Sequence, residues 1–225
     1  EPVEQLLYLA AEQLNLSPEQ RTDDNDFLTV YHLAKHCRFI SDSFSEETAR
    51  KLNPIDPLAA SCLTLAIQKY GQNERSLFSF LTTTGQYSIL NYVGKTHQTY
   101  NLADVYDYSI YNFYSEISQV NLESSGWSAI KVALGRIESG ILDDRFITDA
   151  QKVIKSIGLL SIFGSSETSL NRDALETYCH YALGIANARE IIRELDRVKV
   201  IRYATYKSQY ILFEGTDINI EAELL

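Results

Sequence analysis

The chain contains no methionine, a single tryptophan, four prolines and three cysteines in 225 residues. Cys37, Cys62 and Cys179 are odd in number and far apart. That excludes a disulfide framework and a CxxC metal or redox motif, and it reads as reduced core thiols of a cytoplasmic protein. No apolar run approaches the roughly 18 residues that a bilayer span requires, so no membrane partner is expected. No basic segment followed by an apolar one opens the chain, so no signal peptide is read. A start at Glu1 and the absence of Met point to a processed or excised piece of a longer protein. Positive charge is also scarce. Lys and Arg number 20 against 30 Asp and Glu, a formal net charge of −10. Such a chain as a whole is not attracted to nucleic acid, so any contact of that kind needs a local basic patch.

A phosphate-binding glycine loop is also missing. Tyr92-Val93-Gly94-Lys95-Thr96 ends like a Walker A loop, but Ile89 stands where its first glycine belongs. Neither the strand before such a loop nor the helix after it is convincing. No cofactor is therefore assigned to this chain alone. The Ser-rich stretch 161–169 lacks a nucleophile elbow. His32 and His36 stand at i and i+4 on an expected helix beside Cys37, but Leu33-Ala34-Lys35 lies between them without the glutamate of a zinc-protease helix. His97 and His180 have no evident partners. No catalytic residue and no metal ligand is assigned.

What the sequence does hold is a globular core. Hydrophobic residues make up 45% and charged residues 22%, with 15 Tyr and 9 Phe. Apolar spacing predicts helices over 3–14, 27–40, 58–70, 75–81, 102–120 and 127–137, and it fits either a short helix or a strand over 87–93, with helix the favoured reading. Ser43 with Glu46 reads as a capping box for a helix ending near Leu52. Pro57 suits the first turn of the helix that follows, and Gly71 suits its end. The tyrosine-rich segment 106–114 sits beside Asp104, Asp107 and Glu116 with no cation, so it reads as core rather than a stacking platform for nucleic acid.

Beyond Gly140 the pattern changes. Thr148 with Gln151 reads as a capping box for a helix to Phe163, and Asn171 caps the next. The segment with Ala188, Ile191, Ile192, Leu195 and Val198 has nearly ideal helical spacing. Val200 to Tyr206 and Tyr210 to Phe213 read as two strands with a turn near Lys207-Ser208. Three short helices and a hairpin is the winged-helix order. The fold class read from the sequence is mostly α, a helical lid-like bundle over 1–140 followed by a C-terminal winged helix with a β-hairpin over 141–225.

Arg189, Arg193 and Arg197 recur every four residues, and Lys199, Arg202 and Lys207 extend the series into the hairpin. In a DNA-binding winged helix these would face the duplex. Glu190 and Glu194 sit three residues before Arg193 and Arg197, within reach of intrahelical pairing. Asp196 and, beyond the hairpin, Glu214, Asp217, Glu221 and Glu223 add negative charge. DNA is therefore the less favoured partner of this helix, and packing against protein the favoured one.

The run Tyr70-Gly71-Gln72-Asn73-Glu74-Arg75-Ser76-Leu77-Phe78-Ser79-Phe80-Leu81 resembles a stretch of large prokaryotic P-loop ATPases of the AAA+/STAND type. Leu102-Ala103-Asp104-Val105-Tyr106-Asp107-Tyr108 is similar to a motif that follows it there. Phe213-Glu214-Gly215-Thr216-Asp217-Ile218-Asn219-Ile220 is similar to the sequence after their winged-helix hairpin. Many such ATPases belong to mobile-element or antiphage defence loci. The resemblance covers roughly residues 50–225. It implies a non-catalytic lid and winged helix whose P-loop core lies elsewhere in the same polypeptide, with ATP bound by the full-length protein and oligomers formed by it. It also implies that Arg75 reads the nucleotide's terminal phosphates, with Glu74 holding that side chain when nucleotide is absent. The local alternative is that Asn73 caps the helix and Arg75 pairs with a neighbouring acid. Two other readings stand beside this one. One is an independent winged-helix DNA-binding regulator with an N-terminal ligand or dimerisation domain. The other is a helical enzyme whose site is not legible in the sequence.

Overall fold

A computed structural model describes residues 2–93, 98–119, 124–165, 168 and 170–213. They form eleven α-helices and one two-stranded antiparallel hairpin. The helices are α1 (Pro2–Gln13), α2 (Asp24–His36), α3 (Glu46–Leu52), α4 (Pro57–Tyr70), α5 (Glu74–Thr82), α6 (Ile89–Val93), α7 (Leu102–Gln119), α8 (Ser124–Arg136), α9 (Asp144–Phe163), α10 (Arg172–Tyr181) and α11 (Ala188–Arg197). The strands are β1 (Ile201–Ala204) and β2 (Gln209–Leu212).

Local chemistry sets where these helices start, and several starts differ from the expectations of spacing. α2 opens three residues before Phe27, because Asp23 accepts hydrogen bonds from the Asn25 and Asp26 backbone N–H groups at 2.8 and 3.3 Å. α3 is capped by Ser45, whose hydroxyl accepts from Thr48 N at 3.2 Å. Ser43 does not form the expected box; its hydroxyl pairs with that of Ser41 at 2.6 Å. α9 is capped by Asp143, which accepts from Arg145 N at 3.1 Å, so Thr148 lies inside the helix instead of opening it. A short acidic side chain ahead of the apolar periodicity wins in α2 and α9, since it both caps the free N–H groups and faces the positive end of the helix. Pro57 stands at the start of α4 behind the capping Asp56, and Asn171 caps α10 by accepting from Ala174 N at 2.9 Å, both as spacing predicts. α8 ends in a widened π-type turn over Ile137–Ile141, with Gly140 at φ +88°.

α4 is the central helix. Its buried residues lie all around it, from Pro57 to Tyr70, and it packs on α1, α2, α7 and α9. α9 is the second axis, packed against α7, α8, α11 and β2. Gly158 lets α8 come close to it: a Cβ there would lie 2.2 Å from Ile130 Cγ1. The buried side chains form one continuous cluster from Leu6 to Leu212, running across residue 140 without a break. α10 packs on α2, so the C-terminal helices lean on the N-terminal bundle.

The C-terminal elements keep the order read from the sequence: three helices, then a hairpin. β1 pairs with β2 in the register Ile201↔Leu212, Arg202↔Ile211, Tyr203↔Tyr210 and Ala204↔Gln209. The connection is a tight helical turn over Thr205–Lys207 closed by Ser208 at φ +51°. Among the described residues, no helix is long and apolar enough to cross a membrane.

Candidate functional site

Three places hold side chains that the core does not need: the elbow between α4 and α5, the outer face of α11, and a buried polar junction between α4, α7 and α10.

At the elbow, α4 closes with Gly71 N donating to Ile67 O at 2.8 Å. A Cβ at Gly71 would meet Ile67 O and Ser76 Oγ, each at 2.8 Å, so the turn requires glycine. Gln72 N then donates to Ser76 Oγ at 2.8 Å. Asn73 stands at the N-cap position with φ +47° and ψ −119°, a conformation natural to glycine, and its side chain makes no capping bond. Arg75 points to solvent and donates from Nη1 to the amide oxygen of Gln72 at 3.2 Å. Gln72, and not Glu74, therefore holds this arginine. Gln72 precedes the cap residue, and the turn at Asn73 brings its side chain back over the first turn of α5 to meet Arg75. Glu74 and Asn73 line a surface cleft of about 170 Å³ with Gln5, Leu6, Leu9 and Gln68.

On α11, Ala188, Ile191, Ile192 and Leu195 are buried, and Arg189, Arg193 and Arg197 are exposed. Arg189 donates to Glu176 of α10 from Nε and Nη2, at 3.0 and 2.9 Å. Arg197 pairs with Glu194 at 2.8 Å, as the spacing predicts. The matching pair Glu190–Arg193 does not form. Glu190 turns instead to Arg145, at 3.9 Å, and to Asn187, at 3.4 Å. Arg193 has no ion-pair partner among the described residues. Lys199 is exposed at φ +59°, and its carbonyl accepts from Arg136 Nη1 at 2.7 Å, which ties the end of α11 to α8. Arg202 lies 5.8 Å from the Phe213 ring, and Lys207 5.8 Å from the ring of Tyr206, which is 76% exposed.

The third place was not legible in the sequence. Asp56 is fully buried at the start of α4. Its Oδ1 accepts from Ala59 N at 2.8 Å, and its Oδ2 accepts from the Tyr178 hydroxyl of α10 at 2.7 Å. The same hydroxyl oxygen accepts from Leu102 N, the first residue of α7, at 2.9 Å. Asn101 adds bonds from Nδ2 to Thr99 O at 3.1 Å and to Ala182 O at 3.4 Å. Asp104 lies next to this set and accepts from Asn101 N at 2.9 Å. Burial pushes the Asp56 carboxyl up to about 7, against the pull of its three donors, and pushes Asp104 up to about 6. Burial and the Asp56 charge push the Tyr178 phenol upward as well.

The remaining sequence candidates do not converge. His32 is largely exposed and its Nε2 lies 3.9 Å from Glu46, His36 is exposed, and Cys37 is buried in the core. Among the described residues, no three His, Cys, Asp or Glu side chains form a group that could hold a metal ion. The tyrosine-rich stretch divides: Tyr106 and Tyr108 are core, whereas Tyr111 and Tyr114 are exposed. Gly94-Lys95-Thr96, His97, Ser166, Ser169 and the segment 214–225, with its acids and most of the third resemblance motif, lie outside the described residues. No family model, curated protein or solved structure matches the chain.

Proposed function

We propose that this chain is the non-catalytic lid and winged-helix portion of a larger prokaryotic P-loop ATPase, where it couples nucleotide state to assembly or target sensing. The observation that carries the proposal is the setting of Arg75. Its guanidinium is presented to solvent from a turn with a glycine-like backbone at Asn73, and its one bond among the described residues is to a neutral amide. A permanently charged, forked donor held by so weak a partner is free to move onto phosphate oxygens from another domain. The winged-helix assignment is supported by the order α9, α10, α11, β1, β2 and by α11, which buries one face and turns its guanidinium groups outward. In this reading ATP is a ligand of the full-length protein, and this chain contributes Arg75, with Glu74 and Asn73 shaping the elbow around it.

The test is Arg75→Ala in the longest form of the protein, with nucleotide binding and hydrolysis measured. Weaker nucleotide binding or slower hydrolysis is expected, and unchanged values would return Arg75 to a structural role. A second reading, a winged-helix regulator that binds DNA directly, is favoured by one observation: Arg193, at the centre of the exposed α11 face, has no ion-pair partner among the described residues. Tight, salt-dependent DNA binding by the chain itself, lost on Arg193→Ala and Arg197→Ala, would move the assignment to that reading.

A further inference from the structure

The structure assigns to Asp56 the role of a proton-controlled latch that sets how firmly α10, and with it α11 and the hairpin, is held against the helical bundle. Asp56, Tyr178 and the N-terminus of α7 meet where three helices join, and among the described residues no cation touches the carboxylate. Every group that bonds it is a neutral donor: the backbone N–H groups of Ala59 and Leu58 and the Tyr178 hydroxyl.

The surrounding charges do not neutralise it. On α4, the neighbouring Cys62 is a buried thiol whose ionisation is itself opposed by burial. On α7, Asp104 repels it. On α9, Lys155 is committed to Asp107 at 2.7 Å, and Lys152 to Leu183 O and Asp149 at 3.3 and 3.4 Å. Both lysines act on Asp104 instead. On the side of α2 and α3, Arg50 is bound to Asp24 and Glu46 at the surface. Tyr92 and Tyr100, which flank Asp104, are neutral phenols bonded to the Thr99 and Tyr87 carbonyls. On α10 itself, Glu176 is paired with Arg189, and Asp173 and His180 lie on the solvent side.

Two states of this joint are therefore closely balanced. With Asp56 charged, every hydrogen bond is made but a charge sits in the core without a counter-charge among the described residues. With Asp56 protonated, the charge is gone. The Tyr178 oxygen then accepts from both Asp56 and Leu102, and its own hydrogen loses its acceptor. Opening the joint to water removes the conflict by letting Asp56 ionise as an ordinary carboxylate. The sign follows from the raised value in the closed state, about 7 against 3.8 when hydrated. The closed joint binds the proton more tightly, so it is favoured at low pH and weakened as pH rises from about 4 to about 7. Asp104, raised to about 6, acts in the same direction but mainly below pH 6.

The experiment is amide hydrogen exchange of the intact chain at pH 6 and pH 8, corrected for intrinsic exchange rates. The opening equilibrium read by the α10 amides should rise at least about tenfold from pH 6 to pH 8 in the wild type, and by no more than about twofold, the share of Asp104, in Asp56→Asn. His180→Gln, a change on the solvent face of the same helix, should keep the wild-type rise. Protection that does not change with pH, or a rise of about tenfold that survives in Asp56→Asn, would overturn the assignment. Should Asp56→Asn fail to fold, the carboxyl carbon of Asp56 followed by NMR in the wild type decides. A titration midpoint within a unit of 7 supports the latch, and one below 5 removes it.

Discussion

The Tyr178 hydroxyl donates to the Asp56 carboxylate across 2.7 Å, joining two residues 122 positions apart in the chain. It makes the C-terminal helices continuous with the bundle through a polar contact as well as through the shared core. α4 carries Asp56 at one end and the Gly71 elbow at the other, so the central helix spans the distance between the joint and Arg75.

Tyr178→Phe removes the hydroxyl and leaves two buried groups, Asp56 Oδ2 and Leu102 N–H, without that partner. A loss of about 2–6 kcal/mol in unfolding free energy is expected, from a penalty of about 1–3 kcal/mol for each of the two orphaned buried groups. Urea denaturation at pH 7 measures it. A change below half a kcal/mol would mean that water replaces the phenol.

Gly158→Ala tests the contact between α8 and α9. The added methyl would fall 2.2 Å from Ile130 Cγ1 in a fully buried place, so either the rotamer or the helix must shift. Destabilisation of about 1–3 kcal/mol is expected. Ile130→Ala, which removes both Cγ1 and Cδ1, should cost less on top of Gly158→Ala than it does alone, which a double-mutant cycle by thermal or urea unfolding will show.

Arg75→Ala should leave the stability of the isolated chain within about 0.5 kcal/mol of wild type, because the side chain is exposed and makes one bond to a neutral amide. Combined with impaired nucleotide handling in the longer protein, that outcome separates a functional arginine from a structural one. A large loss of stability in the isolated chain would show that the elbow depends on it.

Arg193→Glu and Arg189→Glu should differ. Arg189 is engaged by Glu176, and its reversal places two carboxylates against each other, whereas Arg193 has no such partner. Both sites are exposed, so the effects are small, and only Arg189→Glu should lower the unfolding midpoint measurably. If α11 meets an acidic partner, Arg193→Glu should show the larger loss of binding in a titration at low salt.

The sequence determined the helical class, most helix positions, the glycine stop at Gly71, the order of the three C-terminal helices and hairpin, and the outward row of arginines on α11. These follow from periodicity and capping, which act over a few residues and need no distant partner. Helix starts at Asp24 and Asp144 escaped that reading because an acidic cap lies outside the apolar repeat. Tertiary structure decided which neighbour each charged group takes. Glu190 leaves Arg193 for Arg145 and Asn187, and Arg75 takes Gln72 over Glu74. It also decided the Asp56 joint. In the sequence Asp56 is a turn residue before a proline and Tyr178 a core position of an amphipathic helix. Only packing removes water from both, and that removal turns an ordinary cap into a buried carboxylate whose charge depends on pH.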